Sequence, residues 1–168
     1  MQQQWLRKRL DTFLPALMRA HCVDLWLVPM REYNEDPVFA AITAPDTFAA
    51  RRRTIYVFFD KCAAAGTPPS ASCVERIALG GTTQGGVFDA RRSMRPAASN
   101  IGRGQQAELW GDEQWLALKT VVEERNPRAI GIVWSAVPCE MKIGGLPFAA
   151  IGCSSPGEPA YTRRKTLP

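Results

Sequence analysis

The sequence has few of the residues from which metal and nucleophilic sites are built. It contains a single histidine, His21, and none of its five cysteines belongs to a C-x-x-C pair. Zinc sites need several closely spaced cysteine or histidine ligands, so we expect no zinc site. The G-x-S-x-G motif that presents a nucleophilic serine is also missing. We therefore assign no catalytic residue and no metal ligand, and we expect no cofactor.

Long apolar runs are missing too. No run approaches the ~20 residues that a membrane-spanning helix needs, and the first residues lack the pattern of a signal peptide. We therefore expect a cytoplasmic protein without a membrane partner. Thiols stay reduced in the cytoplasm, so the cysteines are predicted to be free and mostly buried. These cysteines are Cys22, Cys62, Cys73, Cys139 and Cys153.

What the sequence does contain is the composition of a globular domain. Of its 168 residues, 46% are hydrophobic and 22% are charged, which is enough apolar material for one core. The formal net charge is +5, but the basic residues are scattered and no aromatic-rich binding module lies between them. This distribution argues against a nucleic-acid partner. The basic clusters lie at 7–9, 51–53, 91–95 and 163–165.

Helical and strand patterns alternate along the first part of the chain. Apolar residues at helical spacing predict a helix over 6–14, a break at Pro15 and a second helical piece over 16–20. Asp112 is predicted to cap a helix that ends near Arg125. Such an alternation of strands and helices predicts a three-layer α/β/α sandwich. The predicted strands span 23–29, 54–59, 74–79 and 129–134, and further short helices are predicted at 37–41 and 47–50.

Residues 30–60 combine a polar loop with an arginine triplet. The loop reads REYNED at 31–36, and the triplet at 51–53 opens the strongest strand signal of the chain. We expect this loop at the edge of a sheet, as an interface or gate for a partner chain or peptide. In the alternative, the loop's acids only form ion pairs with the nearby arginines and fix the loop. The candidate interface or gating residues are Arg31, Tyr33, Asn34, Glu35, Asp36, Arg51, Arg52 and Arg53.

Several segments resemble one protein family. They read LPALMRAH at 14–21, VDLWLV at 23–28, REYNEDPVF at 31–39, ARRRTIYVF at 50–58 and NPRAIGI at 126–132. Together they resemble the N-terminal domain of the creatinase/prolidase superfamily, and most closely its Xaa-Pro aminopeptidase-like members. The resemblance implies a ribonuclease-H-like α/β/α sandwich with a mixed sheet. It also implies glycine where this chain has Cys22, so a retained left-handed backbone would cost about 1 kcal/mol.

In the resembled family this domain precedes a pita-bread metallopeptidase domain that holds two metal ions. The ligands of those ions cannot be placed in this chain. The expectation is therefore a non-catalytic domain over 1–135 that acts in dimerisation or in partner or substrate gating. Its expected partner is a second copy, as a homodimer, or a metallopeptidase catalytic domain on another chain.

Two alternatives stay open. In the first, the chain is part of a split or truncated Xaa-Pro metallopeptidase whose catalytic domain lies on another chain. In the second, it is a basic nucleic-acid-binding domain. Residues 136–168 are rich in proline and glycine and lack any regular periodicity. They are expected to be an irregular tail, or alternatively the product of a frameshift near Ser135.

Overall fold

The computed structural model describes residues 2–33, 35, 37–45, 47, 50, 52–63, 67–94 and 108–132. The predicted tail at 136–168 lies outside the described residues, as do Cys139 and Cys153. Among the described helices, none has both the length and the apolar character needed to cross a membrane.

The apolar spacing near the N-terminus forms two consecutive helices, α1 (Gln2–Thr12) and α2 (Leu14–Ala20). Their buried stripe repeats every four residues, through Leu6, Leu10, Leu14 and Met18, because positions i and i+4 share one face of a helix. Pro15 lies in the first turn of α2, where a missing N–H costs nothing. The predicted break between the two helical pieces is therefore confirmed.

A left-handed residue ends α2. Cys22 has φ 51°, and its N–H donates to the Arg19 carbonyl at 3.1 Å while that of Val23 donates to the Met18 carbonyl at 2.9 Å. These two bonds form a Schellman motif, which normally has glycine at its left-handed position. The left-handed geometry that the family resemblance implies at Cys22 is thus retained here.

The strands form one mixed sheet in the order β4-β3-β2-β1-β5. The central pairs β1–β2 and β2–β3 are antiparallel, whereas β5 runs parallel to β1 and β4 parallel to β3. The strands are β1 (Leu25–Arg31), β2 (Arg53–Asp60), β3 (Val74–Leu79), β4 (Asp89–Arg91) and β5 (Ile130–Ile132).

Helices pack on both faces of this sheet. Alternate residues of a strand point to opposite faces, so Val28, Tyr56 and Phe58 join the core under α1, α2 and the short helix α3 (Phe39–Ile42). The residues between them join a second core under α4 (Asp112–Arg125). The prediction of an α/β fold with helices and a sheet is confirmed. The second core contains Leu25, Leu27, Ile55, Val57, Ile77, Leu79, Leu109 and Val121.

Two predicted helix details are wrong. The last helix begins at Asp112 rather than after it, and Gly111 occupies the cap position with φ 66° and no side-chain cap bond. A positive φ favours glycine, and Asp112 instead places its carboxylate in the positive first turn. For the short helix predicted at 47–50, Thr47 and Ala50 have no helical structure. The two residues between them lie outside the described residues.

The described strands differ from the predicted ones in three details. The first strand does not end at Pro29 but continues to Arg31. A proline is tolerated in a strand where no hydrogen bond to a neighbouring strand needs its N–H. This is consistent with the described part of β5, which pairs only with Leu25–Leu27. Strand β4 was not predicted, because Asp-Ala-Arg has no strand pattern. Of the strand predicted at 129–134, Ile130–Ile132 form β5 and Ala129 does not belong to it, while residues 133 and 134 lie outside the described residues.

The prediction of free thiols is wrong for the described cysteines. Cys62 and Cys73 form a disulfide with a Cα–Cα distance of 5.3 Å, and Cys22 is also disulfide-bonded. The sheet register explains the first bond. Asp60 pairs with Val74 across β2 and β3, and the Lys61 N–H donates to the Cys73 carbonyl at 3.0 Å. The two strands therefore bring both cysteines together at the mouth of the connecting loop.

Candidate interaction site at one end of the sheet

The antiparallel register of β1 and β2 brings the polar loop and the arginine triplet together. Arg31, the last residue of β1, lies directly opposite Arg53, the first residue of β2. Tyr33 follows in the loop after β1, and Arg52 precedes β2. With the neighbouring Trp110, these residues form what we call the sheet-end surface. The described residues of the loop and of the triplet therefore lie at the same end of the sheet.

Arg53 is held by three contacts to the start of α4 and the residues before it. Its Nε donates to Gln114 Oε1 at 2.6 Å, and its Nη2 donates to the Gly111 carbonyl at 3.3 Å. Its guanidinium also lies over the Trp115 ring, 4.3 Å from the centroid, within the range of a cation–π contact. Burial lowers the pKa of Arg53, and the nearby Asp112 carboxylate acts in the opposite direction. Arg53 is thus a fixed cation.

Gln114 locks this arrangement to the sheet. It is 0% exposed, and its Nε2 donates to the carbonyls of Leu79 at 2.9 Å and of Arg53 at 3.0 Å. The close approach requires Gly80, which has φ +79°. A Cβ there would lie 2.6 Å from Gln114 Nε2, 2.7 Å from the Leu109 carbonyl and 2.9 Å from the Arg53 carbonyl. The buried amide therefore fixes helix, strand and arginine in one position.

The outer part of the sheet-end surface is exposed and aromatic. Arg52 is exposed and lies over Trp110, 5.0 Å from the ring centroid. Trp110 is 53% exposed and Tyr33 is 94% exposed. A guanidinium stacked on an indole keeps its edge N–H groups available to oxyanions. The surface can therefore offer both apolar area and charge-assisted hydrogen bonds to a binding partner.

The acids of the loop do not neutralise these cations within the described part of the chain. Glu35 Oε1 accepts the Ala50 N–H at 3.2 Å, and no ion pair joins Glu32 or Glu35 to a described arginine. The alternative in which ion pairs fix the loop is thus not seen between these two acids and the described arginines. Asn34, Asp36 and Arg51, also proposed from the sequence, lie outside the described residues.

A group of potential metal ligands lies at the opposite end of β2. Asp60, Cys62 and Cys73 bring their ligand atoms within 4.8 Å of one another. Both thiols are consumed by the disulfide, and the Asp60 carboxylate, 0% exposed, accepts hydrogen bonds from two nitrogens of Arg19. The guanidinium of Arg19, held at this carboxylate, would repel a metal ion. The group of Asp60, Cys62 and Cys73 is therefore better suited to stabilising the fold than to binding a metal.

Sequence reasoning missed three residues of the sheet-end surface or its support, namely Trp110, Trp115 and Gln114. A signal for Gln114 existed, because Leu118 and Val121 follow it at i+4 and i+7 on the buried face of α4. A glutamine on an apolar face needs buried hydrogen-bond partners. Trp115 was predicted to face the core, which is confirmed, but the arginine stacked on it comes from a distant strand.

Comparison of the chain with family models, with curated proteins and with solved structures finds no match. The resemblance to the creatinase/prolidase superfamily therefore rests on the quoted segments themselves.

Proposed function

We propose that the chain is a non-catalytic, partner-binding domain of the creatinase/prolidase N-terminal type, with a ribonuclease-H-like sandwich. The mixed sheet with helices on both faces is compatible with the architecture that the resemblance implies. Most of the resemblance is carried by the segments at 31–39 and 50–58. In the described structure the first runs from the last residue of β1, Arg31, to the first residue of α3, Phe39, and the second ends within β2.

The observation that carries the binding role is the composition of the sheet-end surface. Arginine, tyrosine and tryptophan are the residues that dominate the binding energy of protein interfaces, and here they converge on one end of the sheet. Their support is rigid, because Gln114 and Trp115 hold Arg53 in place. A rigid surface loses little conformational entropy when a partner docks.

The charge of the surface defines the chemistry of the partner. Arg31 and Arg53 are directly opposed on neighbouring strands, where like charges repel. A carboxylate placed between them would relieve that repulsion. A symmetric dimer through this surface would instead bring two copies of the same positively charged patch together, where like charges repel. We therefore assign the surface to an acidic segment of a different protein.

A synthetic Glu/Tyr copolymer tests this assignment, with tryptophan fluorescence as the readout and physiological salt as the condition. We expect saturable binding by the full chain. Arg52→Ala and Tyr33→Ala should each weaken it by at least about tenfold, the effect of a hot-spot residue. Arg128→Ala is the matched control. Arg128 is also an exposed arginine (71% side-chain exposure), but it pairs with Asp24, which precedes β1 at the end of the strand opposite to Arg31.

Unchanged affinity in both variants would contradict the assignment. Binding of a single-stranded oligonucleotide with the same charge as the copolymer tests the nucleic-acid alternative. That alternative predicts that the chain binds the oligonucleotide more tightly than the copolymer. Turnover of an Xaa-Pro peptide by the purified chain with manganese would overturn the non-catalytic part of the proposal.

A further inference from the structure

On the other face of the sheet, a polar cleft opens between α1, the short 3-10 turn Ala71–Cys73 and β3. It is shallow and widely open to solvent, with a volume of about 430 Å³. Its lining includes Arg7, Asp11, Ser72, Val74, Arg76 and Val87. We call it the Arg76 cleft. It is independent of the sheet-end surface and of the function proposed for that surface.

Arg76 is the unusual group in this cleft. Its side chain is only 9% exposed, and its Nη2 donates to Asp11 Oδ1. Its Nε is buried and has no hydrogen-bond partner among the residues that the structure describes. Buried N–H donors are nearly always satisfied in native proteins, and a charged donor is the most costly to leave unsatisfied. The desolvated Nε–H therefore lacks an acceptor in the arrangement in which Asp11 occupies Nη2.

The shape of the guanidinium indicates which acceptor fits. Nε and Nη2 present their N–H bonds along one edge, the fork that carboxylate and phosphate oxygens accept in pairs. Asp11 engages this fork through one oxygen at Nη2 and leaves Nε unsatisfied. Asp11 is 38% exposed, so its side chain can move into solvent and be replaced by an anion with two suitably spaced oxygens.

Other groups in the cleft favour the same ligand. Arg7 is exposed on α1, and its Nη2 donates to the Gly86 carbonyl at 3.1 Å, which places a second cation at the cleft wall. Ser72 contributes a hydroxyl, whose present contact is the Ser70 hydroxyl at 2.8 Å. Two arginines and one displaceable carboxylate leave the cleft with a net positive charge.

We propose that the Arg76 cleft binds a small oxyanion, the carboxylate or phosphate group of a ligand. The Nε and Nη2 atoms of Arg76 hold two of its oxygens, Arg7 supplies the second cation, and Asp11 is the internal competitor that the ligand displaces. The cleft is thereby an anion site in which an aspartate of α1 occupies half of the arginine fork when no ligand is bound.

Calorimetric titration of the full chain with inorganic phosphate and, separately, with acetate tests this site at constant ionic strength. We expect saturable binding of at least one anion, and the anion that binds identifies the group recognised. Arg76→Lys keeps the charge but loses the fork, so affinity should fall by about tenfold or more. Asp11→Asn removes the competing charge and should raise affinity by several-fold.

Arg125→Lys is the matched control, because Arg125 is also a largely buried arginine (14% exposed) paired with an acid, Glu75, on the opposite face. It should leave anion affinity unchanged. Absence of saturable binding by either anion would overturn the proposal. So would binding that neither Arg76→Lys nor Asp11→Asn alters; the second variant changes only a partly exposed side chain, so its result does not depend on how Arg76→Lys folds.

Discussion

Two arginines on neighbouring strands use their guanidinium groups in opposite ways. Arg53, on the α4 face, donates from Nε to a buried glutamine and from Nη2 to a carbonyl, and it stacks on Trp115. Arg76, on the α1 face, has one aspartate at Nη2 and nothing at Nε within the described residues. Arg53 thus has a structural role, whereas Arg76 keeps an N–H group that a ligand could use.

The difference shows why burial alone does not separate structural from binding arginines. Both side chains are largely buried, and both donate hydrogen bonds to other residues. What distinguishes them is the Nε–H, which has a hydrogen-bond acceptor in Arg53 and is buried without one, among the described residues, in Arg76. In the function proposed above, the sheet-end surface binds through its exposed members, Arg52, Tyr33 and Trp110. Arg53, opposite Arg31, adds positive charge to the surface while its own guanidinium is held by the protein. In the Arg76 cleft the buried arginine is itself the binding group.

The largest expected effect comes from a glycine that supports the sheet-end surface. Gly80 and Gly86 have the same φ of +79°, but a Cβ at Gly80 would meet three atoms within 2.9 Å, whereas one at Gly86 would approach only Arg7 Nη2, at 3.8 Å. Both alanine variants pay left-handed strain of about 1–2 kcal/mol. Gly80→Ala should cost about 3 kcal/mol or more in total, because two of the atoms it meets are backbone carbonyls. Urea unfolding of both variants measures the difference, and equal losses would contradict the role given to Gly80.

The next effect concerns the disulfide beside the Arg76 cleft. Cys62 and Cys73 close a loop with a sequence separation of 11, and this loop carries Ser72 to the cleft wall. The double variant Cys62→Ser/Cys73→Ser should lose about 3 kcal/mol of unfolding free energy, since the cross-link restricts the unfolded chain. Chemical denaturation without reductant is the measurement. An unchanged midpoint, together with free Cys62 and Cys73 thiols in the native chain, would show that the bond does not form.

The smallest effects test the comparison of the two arginines directly. Arg53→Met should destabilise the protein by about 2 kcal/mol, because Gln114 Oε1 stays buried without its donor. Arg76→Met should change stability by less than about 1 kcal/mol, since it removes a buried unsatisfied N–H and leaves a partly exposed aspartate. Thermal and urea unfolding of both variants give the comparison. A larger loss for Arg76→Met would mean that Arg76 is the structural residue of the two.

Sequence patterns predicted much of the fold because the signals are local. The strand at Val74–Leu79 has the bounds that were predicted, and the strands around Trp26 and Tyr56 were placed to within a few residues. β4 was missed, since three residues without an apolar pattern become a strand only by pairing with β3. The loop and the triplet were both proposed as interface residues, but neither the strand register that places Arg31 opposite Arg53 nor their aromatic partners were predicted.

The sequence by itself determined where most of the helices and strands lie and which of their faces are apolar, because the periods of 3.6 and 2 residues can be recognised from neighbouring positions alone. Only the tertiary structure decided which polar groups meet. Arg53 reaches Gln114 across 61 residues and Arg76 reaches Asp11 across 65, and Cys62 meets Cys73 through the register of two strands. Such contacts depend on strand pairing and helix packing. For the same reason, the unsatisfied Nε of Arg76 becomes visible only in the folded chain.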